Sequence, residues 1–207
     1  MSDELIFYTN PMSRARIVRW MLEEVGAPYR TELLDYGTTM KAPAYLAINP
    51  MGKVPAIAHR GKVVTEGSAI CAYLADAFPE AGLAPPPAER AAYYRWLFFV
   101  SGPFDSAVVD TALGREIPAE RKAMVGYSSL DAVLDAIAAA LEGRDYIASD
   151  RFSAADCYVA ACLSFYMRFG LVPPRPLFRA YVDRLESRPA FLRAMEIDGA
   201  MPTPKGG

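Results

Sequence analysis

In the first eighty residues the apolar positions switch repeatedly between strand-like and helix-like spacing. "ELIFYT" is short and rich in β-branched and aromatic residues, which predicts a strand. After Asn10-Pro11, the apolar residues Ala15, Val18, Leu22 and Val25 recur at spacings of four, four and three. That is one face of a helix, and Gly26 supplies its stop. "YRTELL" predicts a second strand, and "PAYLAINP" a short helical turn ending before Pro50. "VPAIA" and "KVVT" flank "HRG" and read as a hairpin. A helix from Ser68 to Phe78 follows, with Ile70, Tyr73, Leu74 and Ala77 on one side. The order is β-α-β-α-β-β-α. A helical crossover makes the first two strands parallel, and the closing hairpin is antiparallel.

"FPEAGLAPPPAER" then breaks the pattern with four prolines and a glycine. Residues 79–87 read as a linker between an α/β domain, 1–78, and a second domain, 88–207. The second domain is all-α, with helical patterns from about Ala88 to Asp110, Pro118 to Leu141, Ala154 to Phe169, Arg175 to Ser187 and Pro189 to Met195. In "FSAADCYVAACLSFYM", Ser153 stands at an N-cap and Asp156 at the third helical position, a capping-box pair worth roughly 1 kcal/mol. The helix after it is apolar nearly all round, so other helices should surround it. The tail "TPKGG" is expected to fray.

Composition narrows the function classes. The 207 residues are 53% hydrophobic and carry a formal net charge of −2, which leaves no general basic footprint for nucleic acid or anionic lipid. The N-terminus lacks a basic segment followed by an apolar core, so it does not read as a secretory signal. The strongest apolar run, Cys157 to Met167, is too short to cross a bilayer. A soluble cytoplasmic protein is expected. Cys71, Cys157 and Cys162 form no CxxC pair and read as buried small hydrophobes. With one histidine in the chain, no Cys/His metal site is expected. That histidine, His59, lies in "AHRGK" and reads as a solvated turn residue.

The topology brings three pieces of the first domain together. They are the turn Tyr8 to Ser13, the stretch "NPMGKVPAI", and "TEGSAI" at a helix N-terminus. A helix N-terminus has unpaired N–H groups and a partial positive charge, which suit a carboxylate. Lys53 offers a full charge to a second carboxylate. The backbone at Val54, before a proline whose peptide bond can be cis, can pair with an extended peptide. Together these describe a receptor for a small acidic peptide.

On these residues, together with "TEGSAICAYLADAFP", "FSAADCYVA" and "RPAFLRAM", the chain resembles the cytosolic-type glutathione S-transferase family over essentially its whole length. The resemblance implies a thioredoxin-like first domain, an all-α second domain, a homodimer, and glutathione as cosubstrate with no metal. It implies that the Val54 backbone before cis-Pro55 meets the cysteinyl part of glutathione. Lys53, with Lys41 as a second candidate, would meet the glycine carboxylate. Glu66 and the N–H of Gly67 would hold the γ-glutamyl end. The family's usual "ESxAI" is "EGSAI" here, so Gly67 replaces a serine hydroxyl and Ser68 is the adjacent one. A lost hydrogen bond to a charged group costs roughly 1.5–3 kcal/mol if nothing replaces it.

A thiol of pKa near ~8.5 is only a few per cent thiolate at neutral pH. A hydroxyl donor plus the positive end of the first helix can favour the anion. Branches of the family use a Tyr at the end of the first strand, or a Ser or Cys in the turn. The candidates here are Ser13, ranked first for its place at the helix N-terminus, then Tyr8, then Asn10. Each has a structural reading beside it: helix cap, core aromatic and turn residue. Arg14 and Arg16 read as solvated helix-face residues. No cysteine lies between Tyr8 and Arg16, which disfavours disulfide chemistry. A hydrophobic electrophile pocket is expected near Met12, Tyr94, Phe98 and Tyr166. The expected reaction is thiolate attack on an apolar electrophile. Glutathione-dependent isomerisation is an open variant, and a non-catalytic ligand-binding or scaffold protein is the alternative.

Overall fold

A computed structural model describes residues 3–200 of the chain, so the tail "TPKGG" lies outside the described residues. The described chain forms two compact units, one of residues 3–84 with 188–200 and one of residues 85–187.

The first unit is built on four strands, β1 (Leu5–Thr9), β2 (Arg30–Leu33), β3 (Ala56–His59) and β4 (Lys62–Thr65), in the order β2-β1-β3-β4. β1 and β2 are parallel, joined through α1 (Arg16–Val25), while β3 runs antiparallel to both β1 and β4. The short α2 (Pro43–Leu46) and the longer α3 (Gly67–Ala77) complete the thioredoxin-like order. Leu5, Phe7 and Thr9 alternate into the core with Val18, Met21 and Leu22 of α1 and Ile70 and Leu74 of α3. Gly26 ends α1 in the left-handed region and donates its N–H to the Leu22 carbonyl, as the sequence predicts.

The last helix, α9 (Pro189–Asp198), packs in this first unit against α1. Phe191 meets the edge of buried Trp20, and Arg188 holds the Glu24 carboxylate with two hydrogen bonds of 2.6 and 2.8 Å. Arg19 of α1 is only 2% exposed. Its Nε donates to Asp198 Oδ1 (3.1 Å), and its terminal nitrogen to Tyr29 (2.9 Å) and Thr31 (2.8 Å). Its guanidinium also lies over the Phe7 ring at 4.9 Å.

The hairpin corrects the reading of His59. The turn is the two residues Arg60 and Gly61, both at positive φ, a geometry whose twist matches paired strands. His59 is therefore the last residue of β3 and pairs with Leu5. It is 2% exposed, stacks on Phe78 and meets the Tyr73 hydroxyl through Nδ1 at 3.0 Å. Burial, with the Arg60 charge second, holds its pKa below the usual value. The unfolded chain takes up a proton as pH falls through about 6.5, while the folded ring resists. Stability should thus be full above that pH and decline below it, by up to about 1.4 kcal/mol per pH unit. Thermal unfolding between pH 7.5 and 5.5 should show this slope, and His59→Gln should flatten it. An equal slope in the variant would remove His59 as its source.

The second unit contains only helices among the described residues: α4 (Ala91–Phe99), α5 (Asp105–Ala112), α6 (Leu130–Leu141), α7 (Ala154–Arg168) and α8 (Pro176–Glu186). α4 and α5 are not one regular helix. Pro103 has no N–H to donate, and the chain widens into a π-helical segment over Val100–Phe104. The predicted helix from Pro118 is also interrupted. A 3-10 turn covers Ala119–Met124, and α6 begins only after Ser129, whose Oγ accepts the Ala132 N–H at 3.1 Å. α7 is buried along its length, and all three cysteines are buried. At its start, Asp156 accepts from the Ser153 N–H (3.0 Å), Ser153 Oγ (2.8 Å), the Ile147 N–H (2.8 Å) and the Tyr181 hydroxyl (2.9 Å). No helix of the described residues is long and apolar enough to cross a membrane.

Candidate functional site

Strand register assembles the site. Ala56 pairs with Tyr8 on one side and Thr65 on the other, and Thr9 pairs with Leu33. The residues just after Tyr8, just before Ala56 and just after Thr65 therefore meet at one end of the sheet. Those are the turn Asn10–Ser13, the Val54–Pro55 dipeptide and Glu66–Ser68. The Val54–Pro55 bond is cis, as the family resemblance implies.

The turn after β1 is held by its own polar groups. Asn10 Nδ2 donates to the Leu34 carbonyl (2.7 Å), which ties the ends of β1 and β2 together. Asn10 Oδ1 accepts the Met12 N–H at 2.9 Å. Ser13 Oγ donates to the Asn10 carbonyl at 2.7 Å and accepts the Ala15 N–H at 3.0 Å. Its one proton is thereby used within the turn. α1 begins at Arg16, with Ala15 in the capping position, so the serine closes the turn ahead of the helix. Tyr8 is half-buried, with its ring 5.5 Å from that of Tyr45. Among the described residues no hydrogen bond engages its hydroxyl. Tyr8 and Val54 pack against one small cluster formed by Met40, Tyr45 and Ala56.

Two residues that the sequence reading passed over shape the loop before the cis proline. The Tyr45 hydroxyl donates to the Lys53 carbonyl at 2.5 Å, and Asn49 Nδ2 donates to the same oxygen at 2.8 Å. Burial pushes the Tyr45 phenol up to about 12, with a smaller contribution from Tyr8, so it remains a donor at neutral pH. The only sequence signal for Asn49 is its place before Pro50 in a turn. Lys41 Nζ donates to the carbonyls of Met51 (3.2 Å) and Gly52 (2.8 Å). A β-carbon on Gly52, at φ +57°, would lie 2.8 Å from that ammonium and 2.9 Å from the Met40 carbonyl oxygen. Glycine is therefore required by both backbone angle and space. Lys53 is exposed, with its own carbonyl fixed from behind.

Glu66 caps α3 with φ 66° and ψ 120°, a conformation that costs a non-glycine residue about 1–3 kcal/mol. The first helical bond runs from the Ile70 N–H to the Glu66 carbonyl. The N–H groups of Gly67, Ser68 and Ala69 precede it and have no intrahelical acceptor. This end of α3 can receive a carboxylate. Gly67 supplies its backbone donor without a side chain, and Ser68 is buried.

The remaining candidates lie elsewhere. Met12 is exposed in the first unit. Tyr94 and Phe98 sit one turn apart on α4, with Phe98 70% exposed. Tyr166, on α7, is 4% exposed, packs edge-on to Phe104 and donates its hydroxyl to Asp105. Tyr166 thus belongs to the interior of the helical unit and does not share the exposed ridge of Tyr94 and Phe98. Arg16 also departs from its reading as a solvated residue. It is half-buried and bonded to the Pro11 carbonyl and to the end of α9.

The chain matches the family model for the glutathione S-transferase N-terminal domain over residues 11–77, and that for the C-terminal domain over residues 108–189. Glutathione S-transferase 3 of Zea mays is 30% identical over 215 aligned positions, covering 97% of this chain and 96% of its own. The crystal structure of a glutathione transferase from Methylococcus capsulatus superposes with a TM-score of 0.78 at 31% identity, covering 94% of this chain and 98% of that one. A sphingomonad glutathione S-transferase complexed with glutathione superposes with a TM-score of 0.75 at 30% identity, with coverage of 94% and 98%. With both domain models matched in chain order and a relative aligned nearly end to end, the chain belongs to the glutathione S-transferase family.

Proposed function

We propose that the protein binds glutathione at this end of the sheet and activates its thiol for attack on a hydrophobic electrophile. In this reading the cysteinyl backbone pairs with Val54 before Pro55, and the γ-glutamyl carboxylate sits on the N–H groups that open α3 beside Glu66. The glycine carboxylate faces Lys53. Lys41 stiffens the same loop through the Met51 and Gly52 carbonyls. The observation that carries the reading is the convergence, by register, of a cis-proline edge, a helix N-terminus and a hydroxyl-bearing turn.

Tyr8 is the donor we favour. It packs with Val54 against the same cluster, and its hydroxyl has no partner among the described residues. Ser13 must first release the Asn10 carbonyl to serve a thiolate, and Asn10 is occupied on both sides of its amide. A hydrogen bond to an anion is worth roughly 1.5–3 kcal/mol, which is about ten- to a hundredfold in thiolate. An ultraviolet titration of glutathione into the protein across pH should show saturable binding and an apparent thiol pKa below that of free glutathione. Tyr8→Phe should remove most of that depression and Ser13→Ala little of it. The reverse pattern would make Ser13 the donor. Binding with no depression in the wild-type protein would favour a ligand-binding role, to which the missing hydroxyl at Gly67 also points. The electrophile is expected to meet Met12, exposed in the turn after Tyr8. The reading includes a cytoplasmic homodimer, and sedimentation as a single chain would count against the dimer.

A further inference from the structure

The guanidinium of Arg16 stands between two segments far apart in sequence. One terminal nitrogen donates to the Pro11 carbonyl at 3.1 Å and to the Asp198 carbonyl at 3.2 Å. The other donates to the Gly199 carbonyl at 2.5 Å and lies 3.2 Å from Met195 Sδ. Pro11 is the second residue of the turn that carries Asn10 and Ser13. The Asp198 and Gly199 carbonyls belong to the end of α9, where a helix has acceptors but no intrahelical donors and favours a cation. One planar fork therefore serves orphan acceptors on both sides. One turn further along α1, Arg19 pins the Asp198 carboxylate and keeps that end of α9 in place.

We infer that Arg16 is a positioning residue, clamping the Asn10–Ser13 turn to the C-terminal helix. Given the thiol chemistry proposed above, α9 is then part of the scaffold that holds in place the turn leaving β1 just after Tyr8. The turn's internal bonds, Met12 N–H to Asn10 Oδ1 and Ser13 N–H to the Asn10 carbonyl, fix its local shape. They do not fix its height over the sheet. Asn10 Nδ2 on the Leu34 carbonyl ties the start of the turn to the sheet, and the link through Pro11 ties its middle to α9.

The test compares two α1–α9 contacts, only one of which touches the turn. Arg16→Leu removes the clamp. Arg188→Leu removes the ion pair to Glu24 at the opposite end of α9. In the unliganded protein, hydrogen exchange at the Met12 and Ser13 amides should accelerate about tenfold in Arg16→Leu and stay near wild type in Arg188→Leu. With glutathione bound, Arg16→Leu should lower the thiolate fraction at neutral pH by less than Tyr8→Phe does, because it displaces the turn after Tyr8 and removes no bond to the sulfur. Arg16→Lys, which keeps the charge without the fork, should recover part of both losses. Equal exchange at Met12 and Ser13 in the two leucine variants would overturn the clamp. If wild-type protein leaves the glutathione thiol unshifted, the thiol chemistry fails, and the exchange comparison still decides the clamp. Should Arg16→Leu not fold, Arg16→Lys carries the same comparison, with exchange expected between wild type and complete loss. Wild-type exchange in that variant would overturn the clamp as well.

Discussion

Asp156→Ala should cost the protein about 3–5 kcal/mol of unfolding free energy, a large part of the 5–15 kcal/mol typical of a domain. The carboxyl is fully buried and receives four hydrogen bonds, from the backbone at Ile147 and Ser153 and from the Ser153 and Tyr181 hydroxyls. Burial pushes its pKa up, against the pull of those donors, which reflects how thoroughly water is excluded. Alanine would leave four donors without an acceptor in that dry volume, each costing about 1–3 kcal/mol before relaxation. The loss would spread beyond the start of α7, because the same carboxyl joins the chain at Ile147 to Tyr181 of α8. Ser153→Ala removes one hydroxyl only and should cost about 1 kcal/mol. Urea unfolding of the two variants checks the ratio. Equal losses would mean that the group acts as a helix cap and nothing more.

Arg19→Leu should be nearly as damaging, at about 3–5 kcal/mol, because it strands a buried charge. Asp198 has 2% of its side chain exposed, and its Oδ2 has no partner among the described residues. Without Arg19 that carboxylate is buried without its ion-pair partner, and the Tyr29 and Thr31 oxygens lose a donor. The sharper measurement is the double variant Arg19→Leu with Asp198→Leu. Removing both charges should restore most of the loss, since an apolar pair in place of a buried ion pair is often neutral. Losses that simply add in thermal or urea unfolding would show that the two groups stabilise the fold independently.

Much of the fold was legible because it is written in local periodicity. The strand and helix order over residues 3–84 follows from spacing, Gly26 and the Asn-Pro turns, whereas α9, read as part of the helical domain, falls in the first unit. The capping pair Ser153 and Asp156 is visible as a sequence signature. Breaks were harder to see. Pro103 sits in so apolar a stretch that the α4–α5 ridge reads as continuous, and the gap before Ser129 is carried by a few small residues. His59 reads as a turn residue because its neighbours Arg60, Gly61 and Lys62 are polar. A strand's last residue takes its environment from the strand beside it, here Leu5, and not from its own turn.

The candidate site divides in the same way. The "GKVP" and "TEGSAI" stretches announce a cis-proline edge and a helix N-terminus. Nothing in the sequence says that Ser13 spends its proton on Asn10, or that Tyr45 and Asn49 both hold the Lys53 carbonyl. Arg16 and Arg19 are similarly opaque. Their partner Asp198 lies almost the whole chain away, and helix α9 has no local mark of the face it will cover.

That distance has a consequence for synthesis. The four strands are complete by Thr65, yet α9 begins only at Pro189. At ordinary elongation rates, of roughly 5–20 residues per second, the sheet waits roughly 6–27 s for its last helix. During that interval Trp20 lacks Phe191 and Arg19 lacks its counter-charge. The nascent first unit therefore offers a chaperone an apolar face with an unpaired cation in it, until the end of α9 has left the ribosome.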